Sequence, residues 1–286
     1  LDGCNAMTID ASENVYTTGY FPATADFDPG AGIANLTSAG GNDIFVCKLD
    51  SAGNFVWAKS FGGTGVDVGS AINVDASGNI YITGGFEATV DFDPGAGVSN
   101  LTAFGGPDIF ISKLDVNGNF VWAIQMGGTN VEDGAAIAVD AAGNVYTTGF
   151  FQGTSDFDPG SAVVNLTSSG GSDIFVSKLD ASGNFVWVKQ MVGIFGDYDY
   201  GKSLALDNSG NVYFTGNFTG TTDFDPGSGV SNLITTAGSD IFVCKLDASG
   251  NFVWAKQMVG VGTSGDGAYA VTLDATGNVY TTGFFQ

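Results

Sequence analysis

Residues 136–149 read Ala-Ile-Ala-Val-Asp-Ala-Ala-Gly-Asn-Val-Tyr-Thr-Thr-Gly, and residues 173–187 read Asp-Ile-Phe-Val-Ser-Lys-Leu-Asp-Ala-Ser-Gly-Asn-Phe-Val-Trp. Each stretch is two short apolar runs around an Asp-x-x-Gly turn, the pattern of a tight hairpin. The Asp accepts hydrogen bonds from the turn amides, and the Gly takes the left-handed conformation that closes the loop. The first stretch recurs five times, with its turn Asp at Asp10, Asp75, Asp140, Asp207 and Asp274, spaced 65, 65, 67 and 67 residues apart. The second recurs four times, ending at Trp57, Trp122, Trp187 and Trp254 with spacings of 65, 65 and 67. The extra two residues fall between Met191 and Asp207 and between Met258 and Asp274, in a segment that tolerates length change as an exposed loop does.

Each repeat therefore holds two hairpins and predicts four antiparallel strands, the content of a propeller blade. Ile109-Phe110-Ile111 and Phe120-Val121-Trp122-Ala123-Ile124 are unbroken apolar runs, so both strand faces are to be covered, as in stacked blades. The expected fold is all-β: a β-propeller of four-stranded blades of about 65 residues, four complete and one half blade, read as part of a larger chain. Residues 1–286 form a single repeat domain with blades near 5–69, 70–134, 135–201, 202–268 and a partial blade 269–286. Trp57, Trp122, Trp187 and Trp254 are expected as packing anchors between blades. The half blade leaves an open edge, to be completed by the rest of a longer chain or by self-association. Glu13 occupies a turn position where the other copies carry Gly, so strain or a different turn is expected there.

Composition excludes several classes of function. There are 30 acidic residues against 8 basic ones, all Lys, and a net charge of −22. Such a surface repels nucleic acid and anionic membranes, and no run is apolar enough for membrane insertion. With no His and no Arg, a Ser-His-Asp triad and an Arg clamp on carboxylate or phosphate are both excluded. Cys47 and Cys244 sit at equivalent repeat positions where the other copies have Ser112 and Ser177, so no disulfide is expected between them or with Cys4.

The quoted stretches resemble the bacterial β-propeller repeat called SBBP. The resemblance covers nearly the whole chain and implies a propeller in a large secreted or cell-surface protein of Bacteroidetes-like bacteria, with no reaction attached. The chain departs from the usual compact repeat by a long segment between the second and third strands.

That segment carries Asp-Phe-Asp-Pro-Gly at 26–30, 91–95, 156–160 and 223–227. In an extended Asp-x-Asp both carboxylates point to one side, about 6.5 Å apart. Asp26, Asp28, Asp91, Asp93, Asp156, Asp158, Asp223 and Asp225 are thus candidate calcium ligands, calcium being the one cofactor the sequence suggests. The alternative is that the second Asp caps the Pro-Gly turn and the first is solvated. Six further Asp (Asp2, Asp67, Asp133, Asp197, Asp199, Asp266) lie in the loop before the first strand, as an acidic rim or as solvated loop charge.

The leading functional reading is a non-enzymatic structural or adhesive propeller on a bacterial surface. The alternative is a glycan- or protein-binding module. A paired-carboxylate glycosidase ranks below both, because an active site needs one asymmetric constellation and these carboxylates recur in every repeat.

Overall fold

The computed structural model describes residues 2–194, 197–260 and 265–286. These contain strands, turns and loops but no helix, as the all-β expectation requires. The chain divides into two compact units, Leu1–Gly143 and Asn144–Gln286.

The first repeat supplies β1 (Gly3–Ile9), β2 (Val15–Phe21), β3 (Thr24–Asp26), β4 (Asn35–Thr37), β5 (Asp43–Leu49) and β6 (Phe55–Phe61). β1, β2, β5 and β6 make one antiparallel sheet in that order, and β3 and β4 pair as a separate short hairpin. The second repeat copies this plan with β7 (Val68–Val74), β8 (Ile80–Phe86), β9 (Thr89–Asp91), β10 (Asn100–Thr102), β11 (Asp108–Leu114) and β12 (Phe120–Gly128). The first unit also holds β13 (Glu132–Val139).

In the second unit, β14 (Val145–Asp156), β15 (Asn165–Leu179) and β16 (Phe185–Gly193) are followed by β17 (Tyr200–Leu206), β18 (Val212–Asp223), β19 (Asn232–Leu246) and β20 (Phe252–Met258). A last hairpin pairs β21 (Gly267–Leu273) with β22 (Val279–Phe284). Here the short hairpin has fused with its parent strands. β14 and β15 pair through Gln152↔Ser172, shift register, and continue from Thr154↔Thr167 to Asp156↔Asn165. The long segment between the second and third strands is therefore a hairpin extension of those strands, which the sequence does not announce.

The turns form as their chemistry requires. Gly78 N donates to Asp75 O at 2.9 Å, and Ser77 N and Asn79 N donate to Asp75 Oδ1 at 2.8 and 2.9 Å. Gly78 has φ 81°, and Glu13, in the equivalent place, is held at φ 62°, as the sequence leads one to expect.

The third strand of each repeat is covered on both faces, with six consecutive residues of β5 buried from Asp43 to Lys48. In the first unit the two sheets share one core. Tyr16, Ile44, Val46 and Phe61 of the first sheet meet Ile72, Ile80, Ile82, Phe86, Phe110 and Leu114 of the second, with Trp57 packed against them. Burying a side chain of this size contributes about 1.5–3 kcal/mol. Each Trp also meets the second-strand Tyr of its own sheet edge-on, as Trp122 does Tyr81 at 6.3 Å.

Candidate functional site

Two sets of carboxylates recur at fixed places: the Asp-x-Asp loop, and a buried pair at each joint between repeats. The loop is built by the hairpin extension. Asp91 ends β9, so its side chain faces the loop that follows. Its Oδ1 accepts from Asp93 N at 3.0 Å and Ser99 N at 2.8 Å, and Asp93 Oδ1 accepts from Gly95 N at 2.7 Å. The other three copies repeat these bonds. Asp26 takes Asp28 N and Ala34 N, Asp156 takes Asp158 N and Val164 N, and Asp223 takes Asp225 N and Ser231 N. Asp28, Asp158 and Asp225 cap Gly30 N, Gly160 N and Gly227 N. Both acids thus brace the turn, including the first, which the turn-cap alternative leaves solvated. In each copy these amides take one oxygen of each carboxylate, Oδ1.

The residue between the two acids carries packing that the sequence does not signal. Phe92, Phe157 and Phe224 are fully buried. Phe92 stacks on Phe61 of the preceding repeat at 6.0 Å and lies 5.0 Å from Phe110 of its own. The loop backbone reaches the same neighbour: Gly62 bridges to Asp91, and Val192 pairs with Asp223. In the second and fourth repeats the Asp-x-Asp hairpin is therefore a clasp laid across the outer strand of the preceding repeat. In the second unit this clasp walls a groove of about 520 Å³ with Val188, Lys189, Gln190, Asp223, Asp225 and Pro226 on its sides.

The second set overturns the expectation of a solvated acidic rim. Asp67, Asp199 and Asp266 are buried, at 0%, 0% and 2% exposure, and so is Glu132 at 0%. Asp133 and Asp197 are half-buried, and Asp2 is exposed. The backbone N of Asp67, Glu132, Asp199 and Asp266 donates to Asn42 O, Pro107 O, Ser172 O and Ser239 O. Each acceptor immediately precedes the Asp that opens the third strand of the preceding sheet: Asp43, Asp108, Asp173 or Asp240, all at 3% exposure or less. Burial pushes Asp67 and Asp108 up to about 6 and Asp199 to about 7, with Asp43 and Asp173 also raised. A Gln on the fourth strand supports three of these third-strand acids. Gln190 Nε2 donates to Asp173 Oδ2 at 2.6 Å, and Gln125 and Gln257 do the same for Asp108 and Asp240. The first repeat has Ser60 there instead.

Among the described residues no group of three or more His, Cys, Asp or Glu side chains is placed to hold a metal ion. Cys4, Cys47 and Cys244 are free thiols. The joint acids are legible in the chain only as repeated letters. Their burial depends on the neighbouring repeat, which no local spacing encodes.

Comparison with known proteins places part of this pattern. Residues 186–225 match the SBBP family, described as a β-propeller repeat. The chain is 27% identical over 239 residues to an uncharacterized WD repeat-containing protein, L264, of Acanthamoeba polyphaga mimivirus, covering 73% of this chain and 17% of that protein. It is 28% identical over 145 residues to the regulatory protein FlaEY of Caulobacter vibrioides, covering 51% of this chain and 15% of that one. The chain thus spans less than a fifth of the length of these relatives. Among solved structures, BamB from Moraxella catarrhalis aligns over 98% of this chain and 96% of its own, with 14% identity and a TM-score of 0.27. The family match runs from the fourth strand of one sheet, through the joint acid Asp199, to the clasp acids Asp223 and Asp225 of the next. Residues 186–225 thus match the β-propeller repeat of the SBBP family, and the Asp-x-x-Gly turn, Tyr and Asp-Phe-Asp-Pro-Gly letters of this stretch recur elsewhere in the chain.

Proposed function

We propose that this chain is a non-enzymatic β-propeller region, with four complete blades and a half blade, serving as a structural or adhesive scaffold in a secreted or cell-surface bacterial protein. One observation carries this reading: three sets of polar side chains recur in the same fold-holding bonds from repeat to repeat. Turn Asp, clasp Asp and the core-facing Thr that donates to a third-strand carbonyl (Thr18, Thr83, Thr148 and Thr215) are all engaged in the repeat itself. The bacterial surface location rests on the SBBP resemblance. The edge of β22 fits a further strand, from a longer chain or a second copy, because Tyr280 is 55% exposed while Tyr16, Tyr81 and Tyr146 at equivalent places are fully buried.

The test is a panel of chromogenic glycosides, with single Asp-to-Asn changes made in each clasp in turn. The scaffold reading expects no turnover above buffer. A turnover abolished by a change in one repeat and untouched by the same change in the others would overturn it.

A glycan- or protein-binding module is the second reading, favoured by one further feature. Ile33, Val98, Val163 and Val230, one on each clasp loop, are 68–78% exposed. A regular set of exposed aliphatic side chains suits contact with a repetitive partner. Binding on a glycan and matrix-protein array that is lost when all four become Ser would replace the scaffold reading with this one.

A further inference from the structure

We propose that the two buried acids at three of the repeat joints hold one proton in common, and that this shared proton ties one repeat to the next. The pairs are Asp43 with Asp67 and Asp108 with Glu132 in the first unit, and Asp173 with Asp199 in the second.

The geometry brings the paired acids to one point. Asp67 Oδ2 accepts from Gly63 N at 2.9 Å, and a methyl placed on the adjacent Gly62 would collide with the Asp43 carboxyl. At the next joint Glu132 Oε2 accepts from Gly128 N at 3.1 Å, and a methyl on Gly127 would lie 2.6 Å from the Asp108 carboxyl carbon. A methyl on Gly193 would meet Asp199 Oδ2 at 2.9 Å and Asp173 Oδ1 at 3.6 Å. Glycine leaves room for the second carboxyl at each of these joints.

The titratable groups beside the pairs are themselves acids: Glu87 beside Asp67, Asp133 next to Glu132, and Asp197 beside Asp199. Lys245 forms its ion pair with Asp207, at a hairpin turn away from the joints. Two buried carboxylates without a cation are strongly unfavourable, and one proton removes half of that charge.

The hydrogen bonds fit a proton better than a metal. Asp67 already has both oxygens on amides, Gly63 N and Glu87 N, and Asp199 has its two on Thr219 N and Thr222 Oγ1. Across the first two joints, Asp43 Oδ1 and Asp108 Oδ1 are buried without a donor among the described residues. One open oxygen in each of these pairs suits a shared proton, whereas calcium takes about six to eight oxygens. The Asp108 and Glu132 carboxyls lie in hydrogen-bonding contact with each other, a contact that two ionised carboxylates cannot make. Burial raises Asp43, Asp67, Asp108, Asp173 and Asp199, in agreement with this arrangement. A carboxyl whose folded pKa lies above its unfolded one stabilises the fold at low pH and loses that stabilisation as pH rises through the folded value. The window here is about pH 4 to 8.

Thermal unfolding of the whole chain in chelator, at pH 5, 6.5 and 8, tests this. The melting temperature is expected to fall by about 5 °C or more from pH 5 to pH 8. Asp108→Asn, whose amide can donate to Glu132 as the proton did, is expected to melt above the parent chain at pH 8 and no higher at pH 5. A flat parent profile, or an equal loss at both pH values in the variant, would overturn the proposal. Should the variant not fold, infrared difference spectra of the parent chain decide. A protonated carboxyl band present at pH 6 and gone by pH 8 supports the proposal, and its absence defeats it. If calcium chloride at pH 8 restores the melting temperature seen at pH 5, the acids hold a cation and the shared proton is wrong.

Discussion

Lys113 Nζ lies 4.9 Å above the centroid of the Tyr81 ring, and Tyr81 in turn donates its hydroxyl to Asp75 Oδ2 at 3.1 Å. Trp122 meets the same ring edge-on, so one Tyr links the turn of the first hairpin to both strands of the second. The arrangement recurs for Lys48 on Tyr16, Lys178 on Tyr146 and Lys245 on Tyr213. Half of the eight Lys are thus placed over these rings, which leaves few cations for the 30 acids. Lys113→Met is expected to cost about 0.5–1 kcal/mol by urea unfolding. Tyr81→Phe, which keeps the ring and loses the hydroxyl, is expected to cost about 1 kcal/mol through its bond to Asp75.

Glu13 holds φ 62° where Gly53 and Gly78 hold 81°. For a residue with a Cβ that conformation costs about 1–2 kcal/mol, and the freer unfolded chain of Gly offsets part of the gain from replacing it. Glu13→Gly is expected to raise stability by about 0.5–1 kcal/mol in a urea titration. The bonds from Ser12 N and Asn14 N to Asp10 Oδ1 are made by the backbone and remain in the variant, so the turn itself is unchanged.

Phe92→Ala and Phe27→Ala change the same letter of the same motif with different expected outcomes. Phe92 is fully buried against Phe61, Phe86 and Phe110, so its loss should cost about 3–5 kcal/mol. Phe27 is half-buried and should cost about 1–2 kcal/mol. Equilibrium unfolding in urea compares the two directly.

The turn acids set an acid limb of opposite sign to the joints. The Asn54, Asn184 and Asn251 side chains hold the carboxyls of Asp50, Asp180 and Asp247 below the usual carboxylate range. A carboxyl depressed in the folded state stabilises above its unfolded pKa and loses that contribution as pH falls through the folded value. The melting temperature is therefore expected to drop below about pH 4, and Asp247→Asn is expected to make that drop shallower. Circular dichroism melts between pH 5 and pH 2.5 check both.

Much of the repeat can be read from the chain. The turns at Asp75 and Asp115, the unbroken apolar run of β11 and the odd residue at Glu13 all behave as their local chemistry requires. The extension hairpin escapes such a reading because Thr89–Asp91 and Asn100–Thr102 are three-residue strands, too short for an alternating pattern to stand out. The clasp acids stand out as a motif, but their bonds to Ser99 N and its equivalents span eight residues and depend on how the loop closes.

Repeat length, the two turn-centred hairpins of each repeat and the chemistry of their turns follow from the chain alone, because each turn depends on residues within a few positions of one another. Which acids meet water does not. Asp75 and Asp67 are the same residue type eight positions apart. One braces an exposed turn, and the other lies at a joint sealed by the preceding sheet, because burial is set by what a neighbouring repeat covers.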